Sequence, residues 1–479
     1  MEHAEHTAIS QAPHKAWTLV LASLGLFMVA LDTLVVTTAL PVLRTELDAS
    51  LSDLEWTVNA YNLAFACFLL TGAALGDRFG RRRMFSVGLG VFTAASAAAA
   101  LSPTVESLIA ARTVQGIGAA MVMPLTLTLI SAAFPVEKRG AAIGLWGGIS
   151  GLAVAAGPVV GGAVIDGIDW HWIFWLNVPI GLALIPLSAL KLTESFGPRP
   201  RLDPLGLLLA GAGFLSMTWG LVRANDIGWT SSEVVATLIA GVGLIGLFVA
   251  WERRAPSPMV PLRLFRSRGF SAANGVSFFM YAGLFGAVFL MAQFLQIGLG
   301  ESPLGAGVRL LPWTATPMIV APIAGFLADR YGNRPFMVLG LTLQAIGLGW
   351  VALIAGQNVT YAELGVALTV AGVGTSFCFP TVANAVMGSV PIEEAGVASG
   401  TNSSFRELGG VFGVAVLAAV FTHNGVYSSA SAFFDNFSTA LWVASAFSAV
   451  GIVAALLAPG RPQAEQGAER PAFAFAADD

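Results

Sequence analysis

The sequence predicts an all-α polytopic membrane protein, with fourteen transmembrane helices arranged as two six-helix bundles and two helices inserted between them. Three observations carry this expectation. Only 11% of the 479 residues are charged, 56% are hydrophobic and the mean hydropathy is +0.76, whereas a soluble domain has about 25% charged residues. The apolar residues gather into fourteen runs, each near the ~20 residues that a bilayer crossing needs. Two polar motifs recur at nearly one spacing, so the two halves of the chain are related.

The runs are 17–41, 53–76, 84–101, 104–130, 141–165, 172–190, 204–222, 234–251, 270–297, 304–328, 336–355, 361–388, 396–421 and 438–458. Spanning β-strands need only ~9–11 residues, so runs of this length read as helices, which satisfy their own backbone hydrogen bonds. Placing both termini in the cytoplasm puts 19 of the 24 Lys and Arg on that side, the sense of the positive-inside rule. The other five are Arg44, Arg112, Arg223, Arg309 and Arg406, of which Arg112 and Arg406 lie inside spans.

Residues 1–16 are polar and lack the charged start and cleavage site of a signal peptide, so Trp17 onward reads as a retained span. His3, His6 and His14 in that tail read as solvated side chains rather than metal ligands. Cys67 and Cys378 both fall in apolar runs and read as small core residues. The net charge of −4 and the absence of a basic tract argue against nucleic acid as a partner.

ALGDRFGRRR at 74–83 recurs as FLADRYGNRP at 326–335, 252 residues later, and FPVEKRG at 134–140 recurs as VPIEEAG at 390–396, 256 residues later. The repeated unit covers 17–190 and 270–458. The remaining segment, 191–269, reads as a linker with two extra spans, and 1–16 and 459–479 as cytoplasmic tails. Duplicated halves with a site between them near the midplane are a transporter architecture.

Four motifs and one cluster hold the polar chemistry. In ALGDRFGRRR, Asp77 ends a helix, Gly80 permits a tight reversal, and Arg78, Arg81 and Arg82 place cations at the membrane surface; Asp329 and Arg330 are the second copy. Basic loops orient every membrane protein, but an anchor needs neither the Asp nor the repeated Gly. In LIAARTVQGIGAA (108–120), Arg112 and Gln115 share a helix face, and small residues allow close helix contact. AVAAGPVVGG (153–162) kinks at Gly157–Pro158 and offers Gly161 and Gly162 to a neighbour, which ordinary small-residue packing explains equally well. LDTLVVTTALP (31–41) buries Asp32, ~13 Å below the outer surface at ~1.5 Å per residue, and Arg112 lies ~12 Å below the same surface. SGTNSSFRELGG (399–410) carries Asn402, Arg406 and Glu407 near the midplane.

Together these motifs resemble the major facilitator superfamily, in particular its fourteen-span drug:proton antiporter branch, over 17–458. The resemblance implies that the Asp77 loop is a cytoplasmic gate facing the start of span 13 near Gly396, with Glu137 and Arg139 in its network. It also implies that the Gly157–Gly162 motif marks antiport, and that spans 1 and 4 are neighbours. Ala73, Leu34 and Thr37 depart from the branch's usual residues, as does His171 between Trp170 and Trp172. By the same resemblance the cargo cavity draws on Asn59, Tyr61, Asn62, Gln115, Trp146, Tyr281, Gln293, Gln296, Trp313, Asn384 and Asn402.

At equal depth, Asp32 and Arg112 are expected to pair. Burial and the arginine pull on the carboxylate in opposite directions, so the pair either exchanges protons during transport or only fixes helix register; intramembrane ionisable residues favour the first reading. Arg406 and Glu407 stand equally as a second proton or cation site and as mutual neutralisation. The expected function is export of amphipathic, drug-like or endogenous small molecules, cations included, in exchange for protons. The alternative is a symporter or uniporter of the same fold that imports a small solute. A membrane enzyme finds no support, since HExxH and GxSxG are absent, and a sensor with this fold would need an output domain. No cofactor, no metal and no catalytic residue is expected; the partners are cargo, protons and lipid. The expected setting is a monomer in a bacterial cell membrane.

Overall fold

The computed structural model describes residues 2–134, 136–196, 203–258, 260–390, 395–422 and 429–459, and every regular element among them is helical. The first half holds α1 (Glu2–Glu46), α2 (Leu51–Phe79), α3 (Arg81–Ala100), α4 (Val105–Ala133), α5 (Val136–Gly167), α6 (Trp172–Trp175) and α7 (Asn177–Lys191). α8 (Pro204–Ile227) and α9 (Ser232–Glu252) follow. The second half holds α10 (Arg268–Gln293), α11 (Pro303–Thr314), α12 (Thr316–Tyr331), α13 (Asn333–Ile354), α14 (Tyr361–Met387), α15 (Ala395–Thr422) and α16 (Ala430–Leu457).

Among the described residues, twelve helices are long and apolar enough to cross a bilayer, or thirteen if the pair 51–69 and 71–79, bent by 47°, is one crossing. The expected span 141–165 lies within α5, a helix of 32 residues. α1 begins at Glu2, ahead of the membrane-spanning stretch, which starts at Lys15. The expected span 304–328 is two helices that meet at Ala315. Pro317 has no N–H to give the carbonyl of Trp313, and the hydroxyl of Thr316 donates to that oxygen instead at 2.7 Å. The expected span 172–190 stands as one crossing, Trp172–Lys191, jointed at Leu176 between α6 and α7.

Residues flanking the α1–α2 and α3–α4 turns, Leu43, Leu51, Ala100 and Val105, cluster together on a far side, opposite a basic side that carries the Arg81–Arg83 turn. α2, α4 and α14 begin on the far side with capping boxes, Ser50 with Asp53, Thr104 with Ser107 and Thr360 with Glu363, which satisfy the helices' first N–H groups.

The hydrophobic core differs between the two sides. On the far side one cluster joins both halves: Leu40, Leu54, Leu108 and Phe174 belong with Phe289, Phe294, Leu310 and Leu417. On the basic side the core is divided. Phe85, Val122 and Leu125 form one cluster in the first half, and Phe270, Met337 and Val386 form another in the second. Among the described residues, the halves therefore share one core on the far side and none on the basic side.

The far-side seal is built from small residues and polar bridges. A Cβ on Gly162 would sit 2.4 Å from the carbonyl oxygen of Pro303, and one on Gly307 would sit 2.2 Å from that of Pro158, so α5 and α11 touch backbone to backbone. Asp166 accepts the N–H of Leu304 at 3.0 Å, and the Gln296 amide donates to the Thr38 carbonyl at 2.8 Å. α8 closes the other seam, where Leu221 and Val222 cluster with Trp56 of α2 and with Ala415, Phe412 and Val416 of α15. α9 packs on α8 through Gly241 and Gly213 and leaves Ile239 and Val242 exposed, an apolar face that suits lipid.

Candidate functional site

A cavity lies between the halves, with an empty volume of about 920 Å³ that includes open solvent at its mouth. Its first-half wall is Val29, Ala30, Thr33, Leu34, Phe65 and Met123. Its second-half wall is Tyr281, Leu284, Phe285, Val288, Trp313, Thr314, Pro317, Thr375, Phe379, Arg406 and Glu407. The surface is mostly apolar and aromatic, with a few hydroxyls and one adjacent pair of charges. Apolar walls with sparse polar groups suit drug-sized amphipathic ligands.

Glu407 is the cavity's carboxylate. It is buried and forms no hydrogen bond or ion pair among the described residues. Beside it, the Arg406 guanidinium lies 4.6 Å over the ring of Tyr281, and its Nε has no hydrogen-bond partner among the described residues. Both charges are thus held by the cavity wall without being neutralised by a direct contact to each other.

Asp32 lies elsewhere. Val29, Ala30, Thr33 and Leu34 turn toward the cavity, and at ~100° per residue Asp32 projects from the other side of α1. There its Oδ2 accepts from Arg112 Nη1 at 2.5 Å, and its Oδ1 accepts from Gln115 Nε2 at 2.9 Å and Asn177 Nδ2 at 2.7 Å. Arg112 also donates to Gln115 Oε1 at 2.7 Å and to the carbonyl of Thr57 at 3.4 Å. Asn177 donates to Ser96 as well, at 3.1 Å. Asp32 is 2% exposed and Arg112 1%, so water in the cavity touches neither.

One side chain stands between this network and the cavity. Tyr61 covers the Arg112 guanidinium at 4.1 Å from its ring centroid, a cation–π contact, and its hydroxyl accepts from Thr33 at 3.5 Å. Thr33 in turn lines the cavity.

The remaining expected cavity residues divide. Tyr281 and Trp313 line it. Gln115 belongs to the Asp32 network, Gln296 bridges the far-side seal, and Trp146 donates to Thr126 at 3.1 Å. Asn402 turns into its own half and donates to Ser277 at 2.7 Å and Asn274 at 3.2 Å. Asn59, Asn62 and Gln293 are buried off the cavity wall, and Asn384 is exposed.

The Asp77 loop is knit within the first half. Asp77 accepts from Arg81 Nε at 2.8 Å. Gly80 turns at φ +107°, a conformation that favours glycine, and a Cβ there would lie 2.7 Å from the carboxylate carbon of Glu194. That carboxylate accepts the N–H of Arg82 at 2.9 Å and of Arg83 at 3.3 Å, capping the first turn of α3, where negative charge is stabilised. Arg82 donates back to the carbonyls of Ala189 at 3.2 Å and Leu192 at 3.4 Å, at the end of α7. Arg78 lies over Phe79, and Arg330, in the second copy, over Tyr331. The side chains of Glu137, Arg139 and Asp329, and the surroundings of Gly396, lie outside what is described.

Gly157 and Gly161 serve α1, where added Cβ atoms would meet Leu34 at 2.6 Å and Val35 at 3.1 Å, while Pro158 and Gly162 serve α11. Sequence reasoning missed Asn177, Thr57, Glu194 and Asp166. Asn177, a lone amide at the head of an apolar run, carried a signal; the others sit in ordinary polar contexts.

Two halves of long apolar helices around a shared central cavity define a multi-pass membrane transporter rather than an enzyme. The family model described as Major Facilitator Superfamily matches residues 22–311 and 275–477, and the chain belongs to that superfamily. The tetracenomycin C resistance and export protein of Streptomyces glaucescens is 35% identical over 424 residues, 87% of this chain and 78% of that protein. Multidrug resistance protein Stp of Mycobacterium tuberculosis is 36% identical over 405 residues, 84% of this chain and 75% of the other. Multidrug efflux pump LfrA of Mycolicibacterium smegmatis is 34% identical over 419 residues, 86% and 82% of the two chains. Among solved structures, a D-xylose-proton symporter superposes with a TM-score of 0.66 at 15% identity, over 93% of this chain and 98% of that one. At that identity the likeness speaks for the fold alone.

Proposed function

We propose that the chain exports amphipathic, drug-like or endogenous small molecules across a bacterial plasma membrane in exchange for protons, by alternating access. The observation that carries this reading is the cavity: apolar and aromatic walls from both halves around a buried carboxylate, Glu407, that lacks a hydrogen-bonded partner among the described residues. A cation or a proton can each satisfy that group, and binding one in place of the other is what exchange requires. The names of the relatives, a tetracenomycin C export protein and multidrug resistance and efflux proteins, support export over import.

In this reading Glu407 and Arg406 meet cargo and proton, and the Asp32–Arg112 network answers through Tyr61 and Thr33. The basic side is the cytoplasmic side with both termini on it, the Asp77 loop is its gate, and α5 with α11 forms the outer gate. The domains are the two bundles 17–190 and 270–458 with an inserted pair, fourteen crossings in all, acting as a monomer without a cofactor.

The test is transport in proteoliposomes with an acidified lumen and a fluorescent amphipathic cation outside. An antiporter takes the dye up as protons leave, and Glu407→Gln loses this uptake. A symporter would release preloaded dye instead, and that outcome would overturn the exchange reading.

A further inference from the structure

We propose that the basic-side groove between α3 and α7 is a binding site for an anionic phospholipid, with Arg83 holding the headgroup phosphate and the apolar floor taking the acyl chain.

The groove lies on the basic side of the point where α3 and α7 touch. A Cβ on Gly181 of α7 would fall 1.8 Å from the hydroxyl of Thr93 on α3, so the helices are in contact there. Toward the basic side a groove is floored by Val87, Ile185 and Ala189, with Phe79 and Phe196 beside them and Arg82, Arg83 and Glu194 at its rim. Val87, Phe79 and Phe196 are 44%, 48% and 57% exposed, an apolar surface at the end of a membrane helix that lipid tails cover.

The charges at the rim separate into used and unused. Glu194 is committed to the first turn of α3, and Arg82 to the last carbonyls of α7 and to Glu194. Arg81 is bound to Asp77. Arg83 alone of the three consecutive arginines is exposed and makes no ion pair among the described residues. A cation without a carboxylate partner, directly above an exposed apolar floor at the membrane surface, matches a phosphate above an acyl chain. Juxtamembrane basic residues attract anionic headgroups.

The full-length chain is purified in detergent, delipidated and titrated with phosphatidylglycerol, phosphatidylcholine or inorganic phosphate, and bound molecules are counted by native mass spectrometry. One phosphatidylglycerol is expected to bind ahead of phosphatidylcholine. Arg83→Gln should weaken it about fivefold, the factor for one basic residue at a membrane surface, and Arg83→Lys should keep it. Val87→Trp, which fills the floor and leaves the charge, should weaken it too. Equal binding of the two lipids, or unchanged phosphatidylglycerol binding in both Arg83→Gln and Val87→Trp, overturns the proposal. So does displacement of the lipid by inorganic phosphate at the same concentration, which would make the groove a free-anion site.

Discussion

Asp32 and Arg112 are bonded to each other at 2.5 Å behind α1, on the face turned away from the cavity that Glu407 lines. Two acidic residues of the transport domain therefore occupy different environments, and their substitutions should part company. Asp32→Ala strands a buried guanidinium and should cost about 3–5 kcal/mol of stability. Asp32→Asn keeps acceptor capacity toward Arg112 and should fold, with pH-driven transport abolished. Thermal unfolding in detergent beside the proteoliposome assay separates the two effects, and wild-type transport by the Asn variant would remove Asp32 from the coupling.

Glu407→Gln should leave the melting temperature near wild type, because no hydrogen bond or ion pair to the carboxylate is present among the described residues to be broken. Binding of an amphipathic cation should fall, whereas an uncharged cargo of similar size should bind as before. Fluorescence titration with a matched cation and neutral dye reads the contrast. Equal losses for both dyes would assign Glu407 to cavity shape rather than charge recognition.

Gly162→Leu and Gly307→Leu should each force α5 and α11 apart on the far side, since the first carbon added to either glycine already meets backbone at 2.4 or 2.2 Å. Spin labels at the far-side ends of these helices should report longer distances than in the unaltered chain. Gly151→Leu is the control, because a Cβ there meets nothing within 4 Å.

Asp166→Ala removes the carboxylate that holds the N–H of Leu304 across the boundary. Loss of such a cap costs about 1 kcal/mol, so the same spin-label pair should show a several-fold larger open population. Asp166→Asn keeps an acceptor oxygen and should sit between the two. Identical distance distributions in all three chains would show that the bridge does not bear on closure.

Gly80→Ala places a side chain in a left-handed turn at φ +107° and against Glu194. The backbone strain is about 1–3 kcal/mol, and displacing the carboxylate uncaps α3. Thermal unfolding should show the loss, and Glu194→Gln should show a smaller one.

Much of this arrangement was legible in the sequence because membrane helices advertise themselves. Apolar length found most of the spans, and equal depth brought Asp32 to Arg112. Periodicity in a fully apolar helix does not say which face is inward, however, so it did not place Asp32 on the far side of α1 from the cavity or turn Asn402 back into its own half. Breaks were equally hidden. Pro317 gave notice of one, but proline is tolerated inside α4, α5 and α14, and only packing decides which prolines interrupt a helix. The cap that Glu194 lends to α3 joins residues 112 apart in the chain, a distance at which no local pattern operates.

The undivided core on one side and the split core on the other set a thermodynamic condition on the cycle. Alternating access would have to wet part of the shared layer of Leu40, Phe289 and Leu310 and, in exchange, cover apolar surface between the halves on the basic side, since the two separate clusters are already buried. One proton crossing ~100 mV releases ~2.3 kcal/mol, which is the hydration free energy of only ~90 Å² of apolar surface at ~25 cal/mol per Å². A single proton could therefore offset a mismatch in apolar area smaller than one phenylalanine side chain, so a bulky substitution in the shared layer should bias the molecule toward one facing.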